Sequence, residues 1–458
     1  MINSRSLCTG HWPVHLFSKL NGAAAGLMLA AAPLAFVLPA PASAATVAAP
    51  SGQTLDDFYR LRKDAPLWLS PAAGNSAEQL ISLLSTSSID GLSPDKYHVA
   101  TLQAALEDAR SGKRKAVEKA DRALSQAFVD YVRDLRQDPG VGITYVDPSL
   151  KPAPPSALAA LIGAANAPSL NDYLSSIGWM HPFYGQLREA IAEHKYSDDK
   201  QRELLALNLQ RARALPGDKG RYVLVNAAQQ RLYMYDGGKP VDSMVVVVGK
   251  PKWPTPMLTA YIRYAALNPY WYVPPDLAGE DVAQFVLKQG LKYLDDYGYE
   301  IVNDWTPNPT IIDPKTVDWQ GVNDGKVEVM IRQKPGPKNF MGRVKFMFPN
   351  QFGVYLHDNP RRELFKQSTR YFSGGCVRLE DAWRLSRWLF DGRELTWEGA
   401  GPEQPVPLAS PVPVYITYLT AMPDGQSIAY YDDAYGRDAP KLATSENNST
   451  GTVASAAK

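Results

Sequence analysis

Apolar residues recur every three or four positions through the first half of the chain, which is the spacing of one buried helix face. Helices are predicted over residues 76–85, 94–106, 113–136, 156–166, 182–194 and 198–214. A proline-rich connector at 147–155 divides them, because proline fixes φ and removes a backbone donor. The pattern therefore predicts a helical scaffold over residues 45–146 and a second helical segment of that scaffold over 156–217.

The pattern changes at Pro216-Gly217 to short β-rich segments separated by turn residues. Strands are predicted over residues 222–225, 231–235, 244–248, 258–267, 327–333, 345–348, 353–357 and 414–419. The strand pattern lapses between 270 and 326, where a helix is predicted over 281–295, and a further amphipathic helix is predicted over 380–391. Residues 402–413 are interpreted as a proline-rich approach to the last strand. The fold class is therefore α+β, with a helical scaffold followed by a strand-rich domain over 218–438 that carries an insert.

The first 44 residues have the features of a secretory leader. A polar start is followed by an apolar run at 23–38 and by the small residues Ala42-Ser43-Ala44. The alternative is a membrane anchor that stays attached, but three prolines interrupt the run and favour cleavage. We expect an exported protein of the periplasm or cell envelope. Residues 439–458 are small and polar and are predicted to be disordered.

Charge excludes some classes of partner. The 458 residues include 48 Lys and Arg against 47 Asp and Glu, so no strong field favours nucleic acid or an anionic membrane surface. The length is sufficient for two or three domains, each with its own core. The partner has to be inferred from the site.

Cys376 is the candidate nucleophile. The only other cysteine, Cys8, lies in the leader, so the exported chain would keep a single thiol. A lone cysteine in an oxidising compartment is either buried and inert or reactive. The glycines at 374 and 375 and the nearby Arg378 favour the reactive interpretation, because glycine lets backbone N–H groups approach a substrate oxyanion.

His357 is the only credible base for this thiol. It ends a predicted strand, and eighteen residues separate it from Cys376, while the other five histidines lie in the leader or the helical scaffold. A nearby imidazole raises the thiolate fraction of a cysteine at neutral pH. No His/Cys cluster suggests zinc and no glycine-rich motif suggests a nucleotide, so we expect catalysis without metal or cofactor.

The frame of His357, a loop and Ser373-Gly374-Gly375-Cys376-Val377-Arg378 resembles the active-site motif of the L,D-transpeptidases, which have a YkuD-type catalytic domain. Similar segments follow in the order of the large, two-domain YcbB-like periplasmic branch. They lie at residues 246–251, 255–256, 268–275, 335–339, 342–343 and 345–346. The resemblance implies a β-sandwich-like catalytic domain that cross-links peptidoglycan stem peptides and is acylated by carbapenems. The helical scaffold is the expected place for contacts with other wall-building proteins.

The motif also suggests roles for its other residues. Gly375 and Cys376 are expected to offer N–H donors to the oxyanion, and Tyr355, on the same strand face as His357, is expected to line the site. The imidazole is expected to be oriented by the Asp358 side chain or by a backbone carbonyl. A backbone group is favoured, because adjacent strand residues point to opposite faces.

The residues around the nucleophile are candidates for substrate binding. Arg378 could fork onto a substrate carboxylate, with a surface salt bridge as the alternative. Ser373 is assigned either to substrate binding or only to the shape of the turn. Gly374 departs from many relatives, which have His or Ser at that position. This departure leaves open which carbonyl and which acceptor are preferred.

The insert at 270–326 is expected to cap the active site, as it does in the resembling branch. Trp271, Tyr272, Trp305 and Trp319 are its candidate lid or groove residues. Taken one by one, each aromatic more often packs an insert against its sheet.

Three functions remain open from the sequence. The first is a peptidoglycan L,D-transpeptidase that forms 3-3 diaminopimelate cross-links by default, with a 1-3 linkage to L-Ala as another option. The second is an L,D-carboxypeptidase or murein peptide hydrolase, because water can resolve the same thioester. The third is a non-enzymatic wall-binding scaffold, which the intact set of Cys376, His357 and Arg378 disfavours.

Overall fold

The computed structural model describes residues 53–217, 219–306, 308–397 and 401–439. The predicted leader and nearly all of the predicted disordered tail lie outside these residues. The α+β class is confirmed, since helices dominate up to residue 212 and strands dominate after it. None of the helices in the described ranges is long and apolar enough to cross a membrane.

Eight helices form the N-terminal part of the described chain. They are α1 (Leu55–Leu61), α2 (Ser76–Ser85), α3 (Val99–Ala109), α4 (Arg114–Leu135), α5 (Ala157–Ala165), α6 (Leu170–Ser175), α7 (Pro182–Ala192) and α8 (Asp199–Ala212). The apolar face of α4 is buried in the scaffold core, where Phe128 packs against Trp68 and Trp179. Pro94 opens a short 3₁₀ turn before α3, because proline cannot donate within a helix but fits its first turn.

Sixteen strands follow one another along the described chain. They are β1 (Thr144–Tyr145), β2 (Tyr222–Asn226), β3 (Arg231–Asp236), β4 (Lys239–Gly249), β5 (Leu258–Leu267), β6 (Trp271–Val273), β7 (Tyr299–Val302), β8 (Ile311–Ile312), β9 (Met330–Gln333), β10 (Val344–Met347), β11 (Leu356–His357), β12 (Tyr371–Ser373), β13 (Val377–Leu379), β14 (Gln404–Thr417), β15 (Ala421–Asp424) and β16 (Ser427–Tyr430).

The β-sandwich-like core is one sheet that closes on itself. The strand order β5-β10-β11-β13-β4-β3-β2-β14 returns to β5 through a β5–β14 pairing. Apolar side chains on one face of these strands form a continuous core, including Val246, Phe346, Leu356 and Val377. The opposite face of β10, β11 and β13 carries the polar residues of the motif. Closure removes free edges, which makes the sheet a rigid base for those residues.

The proline-rich stretch expected to approach the last strand is itself part of β14. Pro405, Pro407 and Pro413 pair with β5, and the strand has a bulge between Pro407 and Val412. The second partner, β2, joins only at Val414. The prolines are tolerated because they occur where the strand is paired on one side and fewer N–H donors are needed.

The insert folds as a compact cap with its own core. Its sheet has the order β6-β9-β7-β8, so the cap uses β9 and extends to Gln333 rather than ending near 326. The predicted single helix at 281–295 is broken into a π-helical turn (Ala278–Ala283), α10 (Gln284–Gln289) and α11 (Lys292–Tyr297). Gly290 separates the two α-helices with φ of 77°, which the left-handed region allows for glycine. The remaining cap helices are α9 (Pro275–Leu277) and α12 (Trp319–Asn323).

The last helix of the scaffold is tied to the end of the catalytic domain. Arg211 on α8 is buried and pairs with Asp438 at 2.6 Å, and Asn208 accepts from the backbone N–H of Thr420 at 2.9 Å. Arg437 then donates to the carbonyl oxygen of Thr255 at 2.8 Å. A continuous set of hydrogen bonds therefore connects α8 with the region beneath the catalytic motif. The helix predicted after that motif is α13 (Ala382–Leu389), which buries Leu385 and Leu389 against the sheet.

Candidate active site

Three titratable side chains lie in one row across the sheet. Lys345 on β10 pairs with His357 on β11, and His357 pairs with Arg378 on β13. Residues that pair across strands project from the same face. Cys376 and Tyr355 lie two positions before Arg378 and His357, so alternation places all five on the same face. The sheet register therefore brings together residues that are 33 positions apart in the chain, from Lys345 to Arg378.

His357 is held as a neutral, fixed imidazole. The side chain is buried, and Nδ1 lies 2.6 Å from the backbone carbonyl oxygen of Asp358. Burial lowers the pKa of His357 to about 3, and the positive charges of Arg378 and Lys345 act in the same direction. Nε2 is buried and has no hydrogen-bond partner among the described residues. Because a carbonyl oxygen can only accept, Nδ1 carries the proton, and Nε2 is the acceptor of the neutral ring.

The Asp358 carboxylate is directed away from the imidazole. It accepts from the N–H of Arg343 at 3.0 Å and lies 3.7 Å from the guanidinium of Arg362. The orienting contact is therefore made by the backbone, as the alternation of strand side chains favours.

Cys376 is partly accessible. Its Sγ lies 3.7 Å from the carbonyl oxygen of Gly353, and no hydrogen bond joins it to His357 within the described ranges. Burial raises the pKa of the thiol, while the Tyr355 N–H, Arg378 and Lys345 oppose this rise. At rest, Cys376 is therefore a neutral thiol and His357 a neutral imidazole.

The turn before Cys376 is fixed from several sides. Ser373 Oγ donates to the carbonyl oxygen of Cys376 at 2.5 Å, and Thr255 Oγ1 donates to the carbonyl oxygen of Gly375 at 2.8 Å. The same Thr255 oxygen accepts from the N–H of Gly249 at 2.9 Å. Gly375 has φ of 114°, a backbone conformation that side chains disfavour. Ser373 therefore shapes the turn, and the nucleophile has a defined direction.

The backbone donors of this turn are not equivalent. The Gly375 N–H donates to Ser373 Oγ at 3.1 Å, so it is already used and does not point freely at a substrate. That Gly375 supplies an oxyanion donor stays a prediction, which requires this hydrogen bond to be exchanged for one to the substrate. The Cys376 N–H donates to no acceptor in the described part of the chain, which leaves it as the backbone donor of the pair.

Gly374 is the point where the cap contacts the turn. A Cβ built at this glycine would lie 2.8 Å from Cδ1 of Leu277 on α9. A leucine of the insert therefore fills the space beside this glycine, and the seating of the cap depends on the absence of a side chain at position 374.

Arg378 carries an unsatisfied positive charge. Its Nε is buried without a hydrogen-bond partner, and its guanidinium forms no ion pair with any described residue. Burial lowers the pKa of Arg378 to about 10, against the effect of Cys376. The surface salt bridge considered as the alternative is absent from the described residues. A partly buried guanidinium that pairs with none of the described carboxylates is suited to an incoming carboxylate.

Lys345 has a counter-charge from the end of the catalytic domain. Its Nζ lies 2.8 Å from Oε1 of Glu403, and Oε2 of the same carboxylate accepts from the Tyr272 hydroxyl at 2.9 Å. The ammonium also lies 5.5 Å from the ring of Tyr272 and 5.6 Å from that of Tyr355. Burial and the charge of Cys376 raise the pKa of Tyr355, which keeps its hydroxyl protonated as a donor. These contacts join the cap, through Tyr272, to the face that carries His357.

The four cap aromatics are not equivalent. Tyr272 faces the Lys345–Glu403 pair and contacts the ring of Trp305 with centroids 5.2 Å apart. Trp271 points to the other side of β6 and packs against Phe340 and Tyr299, inside the cap. The role expected for Trp271 in substrate binding is therefore not supported, because adjacent strand residues face opposite sides. Trp319 is buried and donates to the carbonyl oxygen of Pro314, so it is a core residue of the cap.

Several residues of the site carry no motif signal in the sequence. Lys345 and Glu403 are 58 positions apart, and Thr255 and Leu277 precede the cysteine by about a hundred residues. Phe352 and Phe372 flank the turn and are 44% and 38% exposed, which is unusual for large apolar side chains. Only the segments similar to relatives could have drawn attention to some of these positions. Among the described residues, no group of three or more His, Cys, Asp or Glu side chains is placed to hold a metal ion.

Comparison with known proteins agrees with the arrangement of the two parts. Residues 220–414 match the family model described as the L,D-transpeptidase catalytic domain (YkuD), and residues 53–191 match the model described as the Scaffold domain. A Haemophilus influenzae protein named "Putative L,D-transpeptidase" is 28% identical over 394 residues, which are 83% of this chain and 77% of that protein.

Similarity to solved structures is weaker. An L,D-transpeptidase from Mycobacterium smegmatis aligns with a TM-score of 0.21 and 17% identity, covering 43% of this chain and 59% of that chain. The Ldtfm–avibactam carbamoyl enzyme aligns with a TM-score of 0.21 and 14% identity, covering 48% of this chain and 63% of that chain. This chain thus spans about three fifths of each, and scores this low add nothing to the family matches. The family expected from the sequence is nevertheless confirmed by the two family models: the chain carries a YkuD-type L,D-transpeptidase catalytic domain behind an N-terminal scaffold domain.

Proposed function

We propose that this protein is a peptidoglycan L,D-transpeptidase that works through a thioester on Cys376. The observation that carries the proposal is the convergence on one sheet face of a half-buried thiol, a buried neutral imidazole, and a guanidinium that forms no ion pair with any residue that the structure describes. A structural cysteine would require none of these neighbours. The match to the catalytic domain supplies the reaction class.

In the first step, Sγ of Cys376 attacks a carbonyl carbon of a stem peptide. The S–C bond forms, the amide C–N bond breaks, and the terminal amino acid leaves. Rotation of the thiol from the Gly353 carbonyl toward Nε2 of His357 would let the imidazole take its proton and then protonate the leaving amine. The Cys376 N–H and the Tyr355 hydroxyl are the donors suited to the oxyanion.

The resting charges favour proton transfer only after a substrate has entered. Both Lys345 and Arg378 lower the pKa of the thiol and of the imidazole, so they favour thiolate and disfavour imidazolium. A substrate carboxylate bound by Arg378 would neutralise part of this field. His357 could then hold the proton of Cys376 more easily, which couples nucleophile activation to substrate binding.

In the second step, an amine from a second stem peptide attacks the thioester. The C–N bond forms, the C–S bond breaks, and the amine proton passes through His357 to the departing sulfur. We assign the 3-3 diaminopimelate linkage as the default product. A 1-3 linkage to L-Ala stays open, because Leu277 occupies the space beside Gly374, next to the nucleophile.

The cellular setting is part of the same proposal. The leader predicted at residues 1–44 and a cell-wall substrate both fit an exported protein of the periplasm or envelope. Peptidoglycan stem peptides are then the donor and the acceptor, and carbapenems are expected to acylate Cys376. The helical scaffold is the proposed surface for contact with other wall-building proteins.

Product analysis tests the function directly. Incubation of the purified mature protein with disaccharide tetrapeptide, followed by mass spectrometry, should yield cross-linked dimer. Trimmed monomer alone would show an L,D-carboxypeptidase instead, and no product at all would favour a non-enzymatic wall-binding protein. Meropenem should add the mass of one molecule to the wild type and none to Cys376→Ala. Labelling that persists in this variant would contradict the assigned nucleophile.

A further inference from the structure

The C-terminal segment, residues 431–438, contacts the loop between β4 and β5. The Tyr435 hydroxyl donates to the carbonyl oxygen of Gly249 at 2.7 Å, where β4 ends. Arg437 Nη2 donates to the carbonyl oxygen of Thr255 at 2.8 Å, shortly before β5 begins. The segment therefore holds the loop near both of its ends. It does so from beyond residue 414, where the match to the catalytic domain stops.

The same loop contacts the turn that carries the nucleophile. The Gly249 N–H donates to Thr255 Oγ1 at 2.9 Å. That hydroxyl donates to the carbonyl oxygen of Gly375, the residue before the nucleophile, at 2.8 Å. Gly249 also pairs with Ser373, and a Cβ built at Gly249 would lie only 3.1 Å from Cα of Gly375. A displacement of Gly249 would therefore be transmitted to the backbone beside Cys376.

The Tyr435 side chain is fixed by its neighbours. Its ring stacks on that of Tyr418 with centroids 5.1 Å apart and meets Tyr371 edge to face at 5.5 Å. The guanidinium of Arg437 lies 4.8 Å from the centroid of the Tyr435 ring. Burial raises the pKa of Tyr435 to about 12, so the hydroxyl stays protonated as a donor. The hydroxyl thus has a defined position beside Gly249.

The scaffold fixes the far end of the C-terminal segment. Arg211 on α8 forms a buried ion pair with Asp438 at 2.6 Å and donates to the carbonyl oxygen of Arg437 at 3.1 Å. A buried ion pair is costly to break, because each charge would be left without its partner and without water. The position of α8 is therefore connected, through Tyr435, to the turn that carries the nucleophile.

We propose that Tyr435 is a positioning residue for Cys376, and that the scaffold keeps Tyr435 in place through the ion pair of Arg211 with Asp438. This inference rests on the proposed transpeptidase function. Attack on a carbonyl carbon requires the sulfur to lie within about 0.5 Å of the productive geometry. A small displacement of the turn should therefore lower the rate of the chemical step more than the affinity for the substrate.

Acylation kinetics of the full mature chain test the assignment. Tyr435→Phe removes the hydroxyl and keeps the ring. With meropenem as the probe, we expect the limiting rate of acylation to fall about tenfold and the half-saturating concentration to stay unchanged. Alkylation of Cys376 by iodoacetamide, which involves no aligned carbonyl, should proceed at the wild-type rate. Equal losses in both reactions would indicate general damage to the site and would overturn the positioning role.

A matched control lies in the same segment. Tyr431→Phe removes a hydroxyl that accepts from the Gln229 side chain at 2.9 Å, and this variant should be acylated at the wild-type rate. A fall as large as that of Tyr435→Phe would show that the effect is not specific to the contact with Gly249.

Asp438→Asn tests the connection to the scaffold. Loss of this charge weakens the pair with Arg211, so acylation should slow in the wild-type background but not further in Tyr435→Phe. An equal fall in both backgrounds would show that the scaffold does not act through Tyr435.

The failures of the two proposals are distinguishable. A limiting acylation rate that is unchanged in Tyr435→Phe would overturn this inference and leave the transpeptidase intact. A wild type that neither reacts with meropenem nor forms cross-linked product would overturn both.

Discussion

Lys345 and His357 occupy directly paired positions on β10 and β11, so an ammonium and an imidazole stand side by side on one face of the sheet. Arg378 occupies the paired position on the other side of His357. Two cations flanking a buried imidazole disfavour a third positive charge. Burial is the main reason that the pKa of His357 is lowered, and the two cations act in the same direction, so the imidazole is neutral at rest.

The first prediction concerns Lys345 and the thiol. Lys345 lowers the pKa of Cys376, so Lys345→Met should raise it and slow alkylation by iodoacetamide at neutral pH, about tenfold for each unit of pKa. The measurement is the pH profile of alkylation. Lys345→Arg keeps the charge and should resemble the wild type. Superimposable profiles for Lys345→Met and the wild type would show that the ammonium has no influence on the sulfur.

The second prediction concerns acid stability. Burial lowers the pKa of His181 to about 3, whereas an unfolded histidine titrates near 6.5. Below pH 6.5 the His181 imidazole therefore binds a proton in the unfolded chain but not in the folded chain. His181 should thus reduce the free energy of unfolding by about 1.4 kcal/mol per pH unit as pH falls from 6.5 toward 3.

Urea unfolding at several pH values measures this slope. His181 Nδ1 accepts from the N–H of Phe183 at the start of α7, and Asn can replace it as an N-cap. His181→Asn should make the acid slope shallower. His194→Asn, at an exposed position with φ of 56° that asparagine tolerates, is the matched control. An equal slope in wild type and His181→Asn would contradict the prediction.

The third prediction concerns the fit between Gly374 and the cap. Gly374→Ala should push Leu277 aside, because the added Cβ would lie 2.8 Å from its Cδ1. We expect faster hydrogen exchange in residues 278–289. The destabilisation should not exceed about 3 kcal/mol, because the flexible side chain of Leu277 can move. Leu277→Ala in the same chain should relieve the effect. Additive effects of the two substitutions in a double-mutant cycle would show that they do not interact.

The fourth prediction concerns the support of the turn. Thr255→Val removes the hydroxyl that joins the Gly375 carbonyl oxygen to the Gly249 N–H, so both buried groups lose a partner. We expect the free energy of unfolding to fall by about 1–3 kcal/mol. The rate of acylation should also fall, because the folded enzyme itself would hold the turn less firmly. Thr255→Ser keeps the hydroxyl and serves as the control. Normal acylation by Thr255→Val would mean that the turn does not depend on this bridge.

The sequence by itself determined the fold class and most elements, and it singled out the candidate catalytic pair. Helical periodicity placed α2 at its observed bounds and α4 within a residue at each end, because an amphipathic face is a local property. Strand patterns located β2, β3 and β5. The sequence did not predict the helix break at Gly290 or that the proline-rich stretch is part of β14, because glycine and proline set the backbone conformation there independently of the hydrophobic pattern. A lone cysteine behind two glycines, with one histidine on a strand end, was sufficient to choose Cys376 and His357.

Tertiary structure alone decided which charges surround that pair. Lys345, Glu403, Thr255 and Leu277 reach the site through sheet register and through the seating of the cap, and no local pattern records either. The same is true of Gly375, whose N–H is turned to Ser373 by a backbone conformation that no sequence spacing reveals. The physical reason is that the polarity and spacing of residues are written along the chain, whereas register, facing charges and free donors arise only when distant segments pack together.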